Sequence, residues 1–593
     1  MLCFAGITKQ WHMAAIPQPN ADSSRAARKL TRFRCMITAI MNRRDFINSV
    51  IGASAAIPIW QAAAQPRFAS RPSVKLAAPT AGQAAWQDLE IGMFVHFAPN
   101  TWQDQEYDDL STPLSAINPA QLDTDQWAEC ARSLGAKYIV AVAKHAGGFC
   151  MWQTETTDYG IRNTPWRGGN GDVIADLSRS CRKFGLRLGI YLSPQDGKFG
   201  AGTGGRCKTP ELQAAYNTIY RRQLTELLSR YGEVVEIWFD GSLATPVGDI
   251  LKERAPRATI FQGPFATIRW VGNEDGFASY PAWNAVAKSD AETGVATALH
   301  GDPQGDVWLP LETDVSIRRP DWFWNTHNER KVLSLDQLLE IYYRSVGRGT
   351  QLLLNIPADR RGLLPDADCA RAGEFGNEIR RRFGRSVAEA HGSGEVMVLP
   401  LPSPTQIDHM ILQEECSTGQ HIRGYRLEGH AQGKWVTLGE GTSIGHKRIQ
   451  PFNPGVFEAV RLIIPSSVGE PAIRRLAVLN TGSPPPRTWD APAPVWADDA
   501  VGEWKGRSFS VDLSKKITAA GSYQLRFVPQ GEDAVAIKDF QLLLGGIPQP
   551  HLVRRVAGSP NVLILTVPGL GQKAEVKGLV RGAEEGTLLF RRL

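Results

Sequence analysis

The sequence predicts an α/β fold: a (β/α)8-like barrel followed by C-terminal β-sandwich domains. Three observations carry that reading. From about residue 88 to 370, short apolar runs alternate with amphipathic ones. Three of the amphipathic runs end at a glycine directly before an apolar run, as helix stops do. Beyond about residue 372 helical periodicity almost vanishes, and short turn-bounded runs take its place.

The apolar runs MFVHFA (93–98), KYIVAVA (137–143), LRLGIYLS (186–193), VVEIWF (234–239), TIFQG (259–263), DVWLP (306–310) and QLLLNI (351–356) are strand candidates. They are rich in β-branched and aromatic residues and rarely alternate, which suits strands covered on both faces. Between them LDTDQWAECARSLG, DVIADLSRSCRKFG, ELQAAYNTIYRRQLTELLSRYG and SLDQLLEIYYRSVG read as helices. Repeated strand–helix succession over this length argues for a closed parallel barrel rather than a simple open sheet.

The expected divisions are a catalytic barrel at 65–372, a β-sandwich at 373–482, a Pro-rich linker at 483–497 and a C-terminal β domain at 498–593. The linker, within GSPPPRTWDAPAPVW, is too stiff and too poor in pattern to be a core element. Residues 1–64 read as an extension and export signal, removed in the mature chain, with Met41 as the true start. MNRRDFINSVIGASAAIPIWQAAAQ has paired Arg43 and Arg44, an apolar stretch and a small-residue end suited to cleavage. That resembles twin-arginine export and implies a periplasmic or secreted protein. The alternative is a disordered tail on a cytosolic chain.

The formal charge of +6 over 593 residues gives little support for nucleic-acid binding, and no window resembles a membrane span in the mature chain. The cysteines after the signal are widely spaced, without CxxC, and the histidines are dispersed without HExxH. Neither a zinc site nor a disulfide scaffold is indicated, and no metal or cofactor is expected. GAGTGG (200–205) does not open a helix and reads as an active-site loop rather than a phosphate cradle. No GxSxG is present for a serine hydrolase.

In a parallel barrel the site lies at the C-terminal ends of the strands. That rule selects His96, Lys144, His145, Tyr191, Asp240, Glu274, Glu312 and Asn355. Each has a structural alternative: His96 as a satisfied core histidine, Lys144 with His145 as a polar strand end, Tyr191 as packing. Asp240, directly after Trp238 and Phe239 and before Gly241, is costly to bury unless paired or used. An N-cap or salt bridge would also satisfy it. Paired carboxylates make glycoside hydrolysis the natural hypothesis, with one acid attacking the anomeric carbon and a second protonating the leaving oxygen.

GMFVHFAPNTW, AKYIVAVAKHAGGFCMWQTETTDYGIRNTPW, GDVIADLSRSCRKFGLRLGIYLSP, YGEVVEIWFDG and LLLNIPADRRGLLP together resemble the α-L-fucosidases of glycoside hydrolase family 29. The resemblance implies an irregular barrel, a β-sandwich and a retaining mechanism. It implies Asp240 as nucleophile, and His96, His145, Tyr191 and Trp238 as sugar-binding residues beside Lys144. Asn100, Thr101 and Trp102 resemble the branch that favours fucose linked α-1,3 or α-1,4. Glu274, in RWVGNEDG, is the implied acid/base, with Glu312 as the alternative and otherwise a substrate ligand beside Trp308, Trp322 and Trp324. The expected partner is a fucosylated oligosaccharide or glycoconjugate.

One departure stands out. KHAGGF replaces the family's KHHDGF, so Ala146 and Gly147 stand for a histidine and an aspartate. Each lost hydrogen bond is worth about 0.5–3 kcal/mol, which puts the choice of sugar in question. The competing readings are a catalytically silent carbohydrate-binding protein and a glycosidase acting on another sugar. The segment at 373–480 resembles discoidin-type, galactose-binding-like domains, through ECSTGQHIRGYRLEGHAQGKWVTLGEG.

Overall fold

The computed structural model describes residues 75–288, 300–491, 493, 499–517, 521–529, 535–556, 559–567 and 573–592. The export signal and the alternative start at Met41 lie outside the described residues. No helix among the described residues is long and apolar enough to cross a membrane.

The first ten strands are β1 (Ile91–Val95), β2 (Tyr138–Lys144), β3 (Arg187–Leu192), β4 (Val234–Trp238), β5 (Thr259–Phe261), β6 (Arg269–Trp270), β7 (Ala285–Val286), β8 (Val307–Trp308), β9 (Leu311–Ser316) and β10 (Gln351–Asn355). Eight of them form one parallel sheet in the order β5-β4-β3-β2-β1-β10-β9-β6. A parallel bridge from Phe261 to Ile268, just before β6, brings its two edges together into a barrel. The helices Thr124–Leu134 and Val173–Phe184 each start on an aspartate cap, Asp123 and Asp172, and stop on a left-handed glycine, Gly135 and Gly185.

Alternation along the strands divides the interior in two. Ile139, Ala141 and Ala143 of β2 join the helix-facing core, whereas Tyr138, Val140 and Val142 join a cluster inside the barrel with Phe94, Tyr191, Trp238 and Phe261. Trp86, from the capped helix Ala81–Gln87, enters that inner cluster as well.

The fold class is the one the sequence predicts, but one strand moves. DVWLP is not a barrel strand: its β8 pairs antiparallel with β7 in a two-stranded insertion. The barrel uses β9, LETDVS, every residue of which is buried. Its Glu, Thr, Asp and Ser hide it from an apolar-run criterion, because its polar side chains find partners inside the barrel.

Next come β11 (Ala388–Ser393), β12 (Val396–Glu414), β13 (Ile422–Ala431), β14 (Lys434–Gly441), β15 (Arg448–Ser467) and β16 (Ala472–Leu479), one antiparallel sheet. The long β12 and β15 shift register at Pro400/Thr405 and Ile407/His409, where such irregularities bend a strand. The Pro-rich segment that follows is pinned at its start: the Arg348 guanidinium donates to the carbonyls of Trp489 (2.8 Å) and Ala491 (2.7 Å). The last strands are β17 (Asp499–Lys505), β18 (Ser508–Asp512), β19 (Gly521–Pro529), β20 (Ala536–Leu544), β21 (Ile547–Pro548), β22 (Val553–Val556), β23 (Ser559–Val567), β24 (Ala574–Arg581) and β25 (Glu585–Arg592). They form a five-stranded and a four-stranded antiparallel sheet around a shared apolar core.

Candidate active site

A cavity of about 380 Å³ opens at the C-terminal ends of the barrel strands. Of the residues singled out in the sequence, His96, His145, Tyr191, Trp238, Asp240 and Glu274 line it together.

Asp240 stands two residues beyond the end of β4, in a turn with two left-handed residues, Gly241 (φ 74°) and Ser242 (φ 82°). A Cβ on Gly241 would also crowd the Thr203 methyl at 3.1 Å, so glycine answers both demands. The Gly241 amide donates to Gln262 (2.7 Å), which fixes the turn against the strand beside it. The Tyr191 hydroxyl donates to Asp240 Oδ2 at 3.0 Å. The carboxyl is open to the cavity, yet the protein around it raises its pKa above the ordinary value, an effect the Tyr191 and Gly241 hydrogen bonds oppose.

Tyr191 is the hub of the aromatic wall. It stacks on His145 (5.7 Å, 20°) and on Trp238 (6.2 Å, 25°), and Trp238 stacks on Phe261 at 3.6 Å. Trp238 is held from below: its indole donates to Glu236 (2.6 Å), which also accepts from Trp86 (2.6 Å). Burial raises the Glu236 pKa above the ordinary value, an effect the two indole donors oppose. Burial and the neighbouring Glu236 charge push Glu312 far above the carboxylate range, so the proton of this carboxyl pair rests on Glu312.

His96 and His145 are both neutral. Burial lowers His96 to about 3 and His145 to about 4, with each other's proximity adding to the effect at His96. Asn355 fixes the tautomer of His96: its amide group donates to Ser316 Oγ (3.0 Å) and the Trp322 carbonyl (2.8 Å), so its Oδ1 accepts from His96 Nδ1 (2.8 Å). Nε2 is left as an acceptor. His145 Nδ1 is buried with no hydrogen-bond partner in the protein.

Glu274 reaches the cavity from the segment after β6, and Arg319 contacts it at 3.4 Å and Asp275 at 3.3 Å. Asp314, on β9, lines the same cavity and accepts from the Trp270 indole. Burial raises its pKa far above the ordinary value, with the charges of Glu274 and Asp240 adding to the shift. The sequence reading passed over Asp314, although it stands two residues from Glu312 and so on the same face of the strand. It also passed over Glu106 and Arg319, which stand in loops without a periodic signal, whereas Trp322, expected beside Glu312, does line the cavity.

Other selected residues, among them Lys144, Glu312, Asn100, Trp102, Trp324 and Asn355, stand outside the cavity lining. Lys144 is wholly buried and donates to Asp196 (3.1 Å), Tyr216 (3.0 Å) and Gln223 (3.0 Å). Glu312 lies deeper in the barrel, in contact with the Tyr138 hydroxyl at 3.4 Å. Asn100, Trp102 and Trp324 belong to the layer behind the wall. Asn100 donates to the Glu106 carbonyl (2.8 Å), Trp102 packs on Phe97, and Arg360 spans the Trp102 carbonyl and the Trp324 ring. This layer holds Glu106, whose carboxylate accepts from the Trp322 amide at 2.9 Å.

At the altered motif, Ala146 lines the cavity. A Cβ on Gly147 would stand 2.2 Å from Asp108 Oδ2, so that space is already filled. Asp108 is held there by Tyr159 (2.7 Å) and Gln103 (2.8 Å).

The family described as Alpha-L-fucosidase matches residues 93–381. A putative α-L-fucosidase 1 of Oryza sativa subsp. japonica is 33% identical over 457 residues, covering 68% of this chain and 85% of its own. The chain belongs to the α-L-fucosidase family. Among solved structures, a putative α-L-fucosidase of Bacteroides thetaiotaomicron aligns over its entire length with 68% of this fucosidase-family chain, at 31% identity and a TM-score of 0.64. A glycoside hydrolase 29 family member from a rumen bacterium covers 85% of this chain and 96% of its own, at 28% identity and a TM-score of 0.64. The first share is too small to span the barrel together with all the antiparallel sheets that follow it.

Proposed function

We propose that the protein is an exported, retaining, exo-acting α-L-fucosidase that releases terminal fucose, linked α-1,3 or α-1,4, from fucosylated oligosaccharides or glycoconjugates. The observation that carries the reading is the meeting of Asp240 and Glu274 at one cavity walled by neutral histidines and stacked aromatics. Asp240 attacks the anomeric carbon as the glycosidic C–O bond breaks, and Glu274 gives its proton to the departing oxygen. Water then loses a proton to Glu274 and displaces Asp240, so two inversions return the starting configuration.

Tyr191 holds one Asp240 oxygen and leaves the other for attack. His96 Nε2 accepts a sugar hydroxyl, and His145 Nδ1 gains the partner it lacks in the protein. Trp238 offers an apolar face to the ring and its methyl group. Asn100, Trp102 and Trp324 act by shaping the loops behind Glu106 and Trp322. The linkage preference rests on the Asn100–Trp102 segment, and export on the signal-like stretch from Met41.

Asp240→Gly should abolish turnover of an aryl fucoside, and azide should restore it as fucosyl azide of the opposite anomeric configuration. NMR of the parent's product should show the α anomer first. A β product would refute retention, and sugar binding without turnover would favour the silent carbohydrate-binding reading.

A further inference from the structure

The C-terminal β domain reaches the cavity. Gln524 of β19 and Val562 and Ile564 of β23 line it together with Asp240 and Glu274. Strand alternation explains how a domain with its own core can do this. Tyr523, Leu525 and Phe527, with Leu563 and Leu565, point into the core between the two sheets. Gln524, Val562 and Ile564 point the other way, and Gln524 pairs with Ile564 across the ladder. Val562 and Ile564 form a separate apolar cluster, yet are only 6% and 8% exposed. An outward sheet face so buried is covered by the barrel mouth. Gln524 Oε1 is likewise buried, with no hydrogen-bond partner in the protein.

We infer that Gln524 is a specificity-determining residue that accepts a hydroxyl of the sugar carrying the fucose, while Val562 and Ile564 pack against the C–H face of that same sugar. The inference rests on the exo-fucosidase reading above. The wall around the attacking carboxylate comes from barrel residues: His96, His145, Tyr191 and Trp238. A domain outside the barrel meets substrate at the mouth, where the remainder of the glycan emerges. A ligand hydroxyl would give this acceptor the donor that the protein does not supply, which favours a polyhydroxylated leaving group over an aryl one.

The test compares Gln524→Ala with the parent on a 4-nitrophenyl fucoside and on a fucosylated trisaccharide. Loss of one neutral hydrogen bond should lower kcat/KM on the trisaccharide about five- to tenfold and leave the aryl substrate within about twofold. The defucosylated disaccharide should inhibit the variant correspondingly more weakly. Ile564→Ala, on the same face, should repeat the pattern. Equal loss on both substrates, or no loss on either, would overturn the assignment. A parent that turns over neither substrate would instead overturn the fucosidase reading itself.

Discussion

Replacing Tyr191 with phenylalanine removes one hydroxyl and keeps the ring that stacks on His145 and Trp238. The lost contact is a 3.0 Å hydrogen bond from a neutral donor to Asp240. Hydrogen bonds to charged groups are worth about 1.5–3 kcal/mol, and the lower end applies where water in an open cavity replaces the donor. At about 1.4 kcal/mol per pKa unit, the Asp240 pKa should rise by about one unit. The sign follows from which form the bond favours: Tyr191 stabilises the anion, so its removal favours the proton. Desolvation by the protein around the cavity already holds Asp240 above the ordinary aspartate value, and the variant adds to that shift. The nucleophile must be ionised, so the acidic limb of kcat/KM against pH should move about one unit upward. Well below the limb, activity should fall about tenfold, with a much smaller change on the plateau. The assay is a pH profile on an aryl fucoside with parent and variant side by side. An acidic limb that stays in place, or moves downward, would refute the argument that Tyr191 acts on Asp240 through this bond.

Lys144→Met should leave Asp196 buried without its cation, at a cost of about 3–5 kcal/mol in stability. KM should change little in the molecules that fold; a stable variant with a strongly raised KM would place Lys144 on the substrate instead. Asp314→Asn replaces a carboxyl whose pKa the fold holds far above the ordinary value with a neutral amide of the same shape. A raised carboxyl contributes stability that is full below its unfolded pKa and is lost as pH rises toward its folded pKa. Between those limits the parent should lose up to about 1.4 kcal/mol per pH unit that the variant does not. Thermal unfolding at pH 5 and pH 8 should therefore favour Asp314→Asn increasingly at the higher pH; an equal difference at both would refute a protonated Asp314.

What the sequence made legible follows from where apolar character is concentrated. Strands β1 to β4 and β10 are mostly apolar runs followed by polar residues, so both the barrel and the strand-end positions of His96, His145 and Asp240 could be read. Strand β9 was illegible because Glu312 and Asp314 face the barrel interior, where an indole, a phenol and a second carboxyl satisfy them. A linear pattern does not display partners that arrive from other strands. Lys144 shows the converse: its position at a strand end matches that of a substrate ligand, and only the packing of Tyr216 and Gln223 from the helix Pro210–Arg230 reveals its enclosure. The contribution of Gln524 could not be read at all, since alternation in SYQLRFV indicates an outward face but not what covers it.

The Asp108 carboxylate beside Gly147 changes the meaning of the altered KHAGGF motif. Positions 108 and 147 compete for one volume, and only one of them can carry an acid there. The two sites are therefore epistatic: an aspartate at 147 is forbidden while Asp108 stays, and the space reopens only when 108 shrinks. A position-by-position comparison would count a missing functional group at 147, whereas in three dimensions negative charge persists at that corner, supplied by a different stretch of chain. Restoring the aspartate at 147 alone would begin with a collision against Asp108.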